Sequence, residues 1–160
     1  MTEQITVPTV QRSVTVAAPV AKAFQVFTRS FTTWWPADYH IGEAEYAEAV
    51  MEGRTGGRWY ERGVDGSECD WGRVLTWDPP NRVVLAWHIN GEWQFDPDPA
   101  RASEVEVTFT AEDDGRTRVD LEHRLFERHG EQAESVMKSV SEGGGWGDIL
   151  QRYADAVSAS

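Results

Sequence analysis

The feature that most constrains this chain is an apolar stripe near its C-terminus that follows an unbroken run of strand-like segments. From Ala133 to Val157 the apolar residues fall at Ala133, Val136, Met137, Val140, Trp146, Ile149, Leu150, Tyr153, Ala154 and Val157. Steps of three and four put them on one face of a helix, because each residue advances about 100° around the axis. Gly143, Gly144 and Gly145 interrupt the stripe. Each costs roughly 1 kcal/mol relative to Ala in a helix interior, so the triplet predicts a bend or thinned segment. A long one-sided helix needs a cover for its apolar face, and the elements before it read as strands. The expected arrangement is a lid on a curved sheet.

Those earlier elements are read from alternation and turn residues. Arg12 to Ala17 predicts a short strand. A helix then starts at Ala18-Pro19, with Pro at a position where its missing N–H is harmless. Val20, Phe24, Phe27, Phe31 and Trp34 recur at helical spacing, as one helix or as two short ones broken near residues 29–33, and Pro36 stops them. Strands follow at Ala44 to Met51, Arg58 to Arg62, Asp70 to Trp77, Arg82 to Asn90, Ser103 to Thr110 and Thr117 to Phe126. Turn signals such as Gly56-Gly57, Asp65-Gly66 and Asp78-Pro79-Pro80-Asn81 separate them; Asn90-Gly91 can close a further turn, and residues 92–102 read as a loop, with the start of a pairing at Trp93 and Phe95 as the alternative. Strands in an unbroken run predict an α+β fold with an antiparallel sheet, buried on one face. The inward sets are Val83, Leu85, Trp87 and Ile89; Val105, Val107 and Phe109; and Val119, Leu121 and Leu125, which take His123 inward with them. Alternation leaves two strands open, with Trp59 sharing a face with Glu61, and Trp71 with Arg73, Leu75 and Trp77.

Composition bounds the rest. A chain of 160 residues fits one domain, residues 1–160, that buries about two thirds of its unfolded surface. Cys69 is its one cysteine, so no internal disulfide is possible and a reducing compartment is compatible. The N-terminus lacks the basic and apolar regions of a secretory signal, and no stretch reaches the roughly 18 apolar residues of a membrane span. The expectation is a cytoplasmic protein without a membrane span. A net charge of −12, from 27 acidic and 15 basic residues, disfavours nucleic acid, whose phosphates need clustered cations. Eight tryptophans are the anomaly, suited to a core, a ligand pocket or an interface.

The motifs together resemble a known family. Val16-Ala17-Ala18-Pro19 enters a helix that ends at Trp34-Trp35. Gly56-Gly57 follows, then Gly72-Arg73-Val74-Leu75 running into Asp78-Pro79-Pro80, then Arg82-Val83-Val84-Leu85-Ala86-Trp87. With Thr117 to Phe126 and the Gly-Gly-Gly-Trp segment, this resembles the bacterial branch of the Hsp90-ATPase-activator-like proteins, within the START/Bet v 1-like (SRPBCC) superfamily, over about residues 12–157. The resemblance implies a helix-grip fold: an antiparallel sheet around a long C-terminal helix, two short helices closing one end, often with a hydrophobic cavity. Relatives in the superfamily bind lipids, sterols, polyketides or hormones, some are cyclases, one branch sequesters reactive natural products, and the eukaryotic namesake stimulates a chaperone ATPase. Fold alone does not choose among these.

Candidate site residues follow from the faces. Trp35, Tyr39, Trp59, Trp71 and Trp87 come from separate elements and point towards the sheet–helix interior. Phe109, Trp146 and Tyr153 join them, and aromatic walls with a few polar handles are typical of a small-molecule pocket. The alternative is that these rings simply fill the space. His123 is the candidate acid or base, against the reading of a satisfied core histidine. Glu61 is the one inward acid to nominate. His88 is expected to face solvent, and His40 either guards a cavity mouth or sits in a loop. No metal site or cofactor is expected: HExxH is absent, His123 and His129 lack a third ligand, and residues 143–147 lack the strand and Lys-Ser/Thr of a phosphate loop. GxSxG is absent too.

Three functions compete. The first is a carrier, sensor or sequestering protein for a small hydrophobic or aromatic molecule, held between sheet and helix by His123, Tyr153 and Glu61, with the glycine triplet as hinge. The second is an Hsp90 co-chaperone-like module whose tryptophans and acidic patches meet a protein partner. The third is a cyclase or hydrolase of aromatic or polyketide-like substrates.

Overall fold

The computed structural model describes residues 9–36, 39–141 and 145–159. Its seven strands are β1 (Val10–Val16), β2 (Tyr46–Met51), β3 (Arg58–Gly63), β4 (Glu68–Asp78), β5 (Arg82–Trp87), β6 (Ser103–Ala111) and β7 (Thr117–Arg124). They form one curled sheet in the order β1-β7-β6-β5-β4-β3-β2, antiparallel throughout. Between β1 and β2 lie α1 (Val20–Thr28) and the single turn α2 (Phe31–Trp34). Pro19 is the residue just before α1, where its carbonyl still accepts from the Ala23 N–H. After β7 a 3-10 segment, Phe126–Gln132, kinks at Gly130 and leads into α3 (Ala133–Ser141) and α4 (Trp146–Ala159).

The predicted stripe holds across both C-terminal helices, as Val136, Val140, Trp146, Ile149, Leu150, Tyr153 and Val157 are all buried. The helix itself is in two pieces. Of the expected hinge, Gly143 and Gly144 lie outside the described residues. The inward sets on β5 and β6, and Val119, Leu121 and His123 on β7, are buried as alternation predicts, with Val83, Val105, Val107 and Val119 fully enclosed. Outward residues of neighbouring strands form cross-strand ion pairs, among them Arg124 of β7 with Glu104 and Glu106 of β6, and Arg58 of β3 with Glu68 and Asp70 of β4. The outer face of the sheet is therefore cross-linked by opposite charges on adjacent strands.

Four expectations change. Arg73 and Leu75 do not share the inner face with Trp71 and Trp77, because β4 carries two irregularities. Trp59 pairs with Gly72 and Tyr60 with Asp70, so Trp71 is an extra residue; Val74 pairs with Leu85 and Thr76 with Val84, so Leu75 is another. Each bulge resets the parity, which turns Trp71 and Trp77 in and leaves Leu75 exposed. Leu125 is not an inward strand residue, since β7 ends at Arg124 and Leu125 takes φ 65°, which places Phe126 in the core instead. His88 is buried, not solvent-facing. The segment after β5 folds back over it, where its Nδ1–H donates to the Asp96 carbonyl at 2.8 Å and its ring stacks on Phe95. Finally, Asn90 does not extend β5, which stops at Trp87; Ile89 makes only an isolated bridge to Phe95.

Candidate functional site

An aromatic chamber lies where β3, β4 and β5 face the C-terminal helices. Glu61 and Trp59 alternate inward along β3, the first bulge adds Trp71, and Trp87 closes β5. Trp59, Trp71 and Trp87 contact one another with ring centroids 5.6–5.9 Å apart. Trp35, placed by Pro36 and the end of α2, stands 5.4 Å from Trp71 and 6.2 Å from Trp146. A cavity of about 80 Å³ remains among Trp35, Tyr39, Trp87, Trp93, Trp146 and Val140. That is less than the roughly 150 Å³ that admits a benzene, so the rings fill most of the space. Larger hollows are open surface grooves; the one of about 570 Å³ runs over polar and charged residues of β1, β6 and β7.

The nine expected residues separate into groups. Trp35, Tyr39, Trp87 and Trp146 line the cavity; Trp59, Trp71 and His123 stand behind that wall. Phe109 instead packs on Phe24 and Phe27, and Tyr153 on Phe27 and Trp34. The Tyr153 hydroxyl donates to the Ala23 carbonyl at 2.6 Å and is committed to α1, with burial raising its phenol above the usual range. Trp93 also lines the cavity, although it lies in residues 92–102, whose sequence reads as a loop. It sits at φ 59°, 40% exposed, over Tyr39 and Trp71.

Glu61 is 2% exposed and accepts from the Ile41 and Gly42 N–H groups and from the Trp71 indole, with His40 Nδ1 3.5 Å away. It therefore ties the backbone beside Tyr39 to the aromatic wall.

His123 is fully enclosed and bonded at both nitrogens. The Trp146 indole, which can only donate, reaches Nδ1 at 3.0 Å, so the proton of His123 sits on Nε2. That proton goes to Ser103 Oγ at 2.7 Å, and the Ser103 hydroxyl in turn donates to His129 Nε2 at 2.7 Å. Neutral imidazoles satisfy this chain. Burial, with His129 adding, holds His123 well below its usual range. Burial also pushes His129 down to about 4, opposed by Asp96. The geometry makes His123 a satisfied wall residue that positions Trp146.

Six tryptophans are buried: Trp34, Trp35, Trp59, Trp71, Trp87 and Trp146. Five of their indole N–H groups have acceptors, respectively the Val26 and Tyr39 carbonyls, the Ala86 carbonyl, Glu61 and His123. The Trp87 N–H has none among the described residues. An orphaned buried donor costs about 1–3 kcal/mol. These six rings are therefore interior and not on the surface.

A curled antiparallel sheet gripping C-terminal helices, with an aromatic chamber between them, defines the helix-grip class. The family model described as activator of Hsp90 ATPase homolog 1-like protein matches residues 17–157, and the chain belongs to that family. Among solved structures, it is 42% identical to an anthrahydroquino-gamma-pyrone synthase, Txn09, complexed with SUM, with a TM-score of 0.66 over 94% of this chain and 97% of that one. It is 34% identical to the self-sacrificing resistance protein CalC from Micromonospora echinospora, with a TM-score of 0.69 over 95% of each chain. DynU16, a putative protein in the dynemicin biosynthetic locus, shares the fold at 19% identity and TM-score 0.60, over 94% of this chain and 47% of that one. No curated protein matches the chain. No helix among the described residues is long and apolar enough to cross a membrane.

Proposed function

We propose that this protein binds a small, flat, hydrophobic molecule of aromatic polyketide type between the sheet and the C-terminal helices. The observation that carries this reading is the cavity walled by Trp35, Tyr39, Trp87 and Trp146 and covered by the one exposed tryptophan, Trp93. The cavity admits such a molecule only when Trp93, the exposed member of its lining, moves aside. Stacking on aromatic faces supplies the attraction, and burial of apolar area supplies most of the affinity. The relatives support the ligand class, since one is named as a synthase of an anthrahydroquino-gamma-pyrone and another as a resistance protein. The test is titration with hydroxyanthraquinones such as emodin, followed by thermal shift and native mass spectrometry. A one-to-one complex with a raised melting temperature is expected; no stabilisation by any flat aromatic compound overturns the reading.

The 42% identity to a synthase favours a second reading, ring closure of a polyketide-like substrate held in the same chamber. In this reading His123 positions Trp146, its two ring nitrogens being engaged by Ser103 and Trp146 and its side chain enclosed. The chamber acts by orienting the chain and excluding water. Incubation with a linear polyketide precursor, with product read by mass spectrometry, separates turnover from simple binding.

A further inference from the structure

We propose that the ligand presents a hydrogen-bond-accepting oxygen, of the quinone or pyrone carbonyl kind, to the indole N–H of Trp87, which makes Trp87 the specificity-determining residue of the chamber. This rests on the binding reading above. Trp87 is 2% exposed and lines the cavity, and its N–H is without an acceptor while the five other buried indoles are all paired. Its ring is fixed on three sides by Trp59, Trp71 and Trp146, and by His123 on a fourth contact, so it cannot turn to find a partner in the protein. A trapped water is a poor substitute, because a water needs two to four polar partners. Among the other polar side chains of the lining, Ser139 already donates its hydroxyl to the Val136 carbonyl.

An indole N–H donates and never accepts, so it selects for an oxygen lone pair. It gives no help to a bare hydrocarbon. A site built to hydrogen-bond a ligand atom rejects the analogue that lacks it more strongly than a greasy pocket rejects one of different size.

The experiment compares two probes of nearly equal shape, fluorenone and fluorene, by calorimetry on the full chain and on Trp87→Phe. The wild type is expected to bind fluorenone about 5- to 30-fold more tightly than fluorene, the worth of one buried hydrogen bond. In Trp87→Phe the preference falls to near unity. Equal affinity of the wild type for both probes, or a preference that survives in Trp87→Phe, overturns the assignment of Trp87 while leaving the binding reading intact. Binding of neither probe, with none of the hydroxyanthraquinones bound either, defeats the binding reading and this one together. If Trp87→Phe does not fold, the wild-type NMR spectrum decides: the Trp87 indole proton moves downfield with fluorenone and not with fluorene, and no such difference overturns the proposal.

Discussion

At the scale of single residues, direction of donation governs the polar interior. The indole of Trp146 forces the tautomer of His123, which orients the Ser103 hydroxyl, which makes His129 an acceptor. Ser103→Ala removes the central oxygen and leaves two buried ring nitrogens unpaired. A loss of about 2–4 kcal/mol in urea unfolding is expected; a loss under 1 kcal/mol means the rings find other partners. The same chain sets a pH dependence. The unfolded state takes up protons at these histidines as pH falls below about 6.5, whereas the fold keeps His129 neutral down to about 4. The folded pKa is depressed, so this stability is fully present above pH 6.5 and is lost as pH falls towards 4. Urea midpoints at pH 7.5 and pH 5 test it: the midpoint drops in the wild type and drops less in His129→Gln.

At the scale of elements, the bulges of β4 and the turn before Trp93 build the chamber. The first bulge leaves Gly72 directly under the Trp59–Ala86 hydrogen bond. A Cβ there would meet the Ala86 carbonyl oxygen at 1.8 Å and Trp59 Nε1 at 2.2 Å. Gly72→Ala therefore separates β4 from β5 or expels Trp59, at a cost of at least ~2 kcal/mol by chemical denaturation. Trp93→Gly has the opposite character. Glycine accepts φ 59° without strain, which offsets the lost ring contacts, so stability stays within about 1 kcal/mol. Ligand entry becomes faster, and stopped-flow fluorescence measures it; an unchanged rate means Trp93 is no cover.

At the scale of the molecule, folding and ligand binding draw on the same interface. A ligand that binds only the folded state adds about 2.7 kcal/mol at a concentration of 100 Kd. For a domain of this size that is a rise in Tm of roughly 5–10 °C. A saturating ligand that leaves Tm unchanged does not occupy the sheet–helix interface.

Alternation and helical spacing alone led to the α+β order, the seven strands, the buried faces of β5 and β6, and the C-terminal stripe, because one-sided burial leaves a period in the sequence. They placed Trp35, Tyr39, Trp87 and Trp146 among nine interior candidates without separating them from Phe109 and Tyr153, which pack on α1. Other features left no local signal. The inward turn of Trp71 and Trp77 depends on which residues of β3 and β5 lie opposite them, and His88 is buried by the segment that returns through Asp96. The satisfied state of His123 needs Ser103 and Trp146, 20 and 23 residues away. The unpaired N–H of Trp87 is the sharpest case. A sequence shows that an indole is present, but only the packed interior decides whether an acceptor stands within reach.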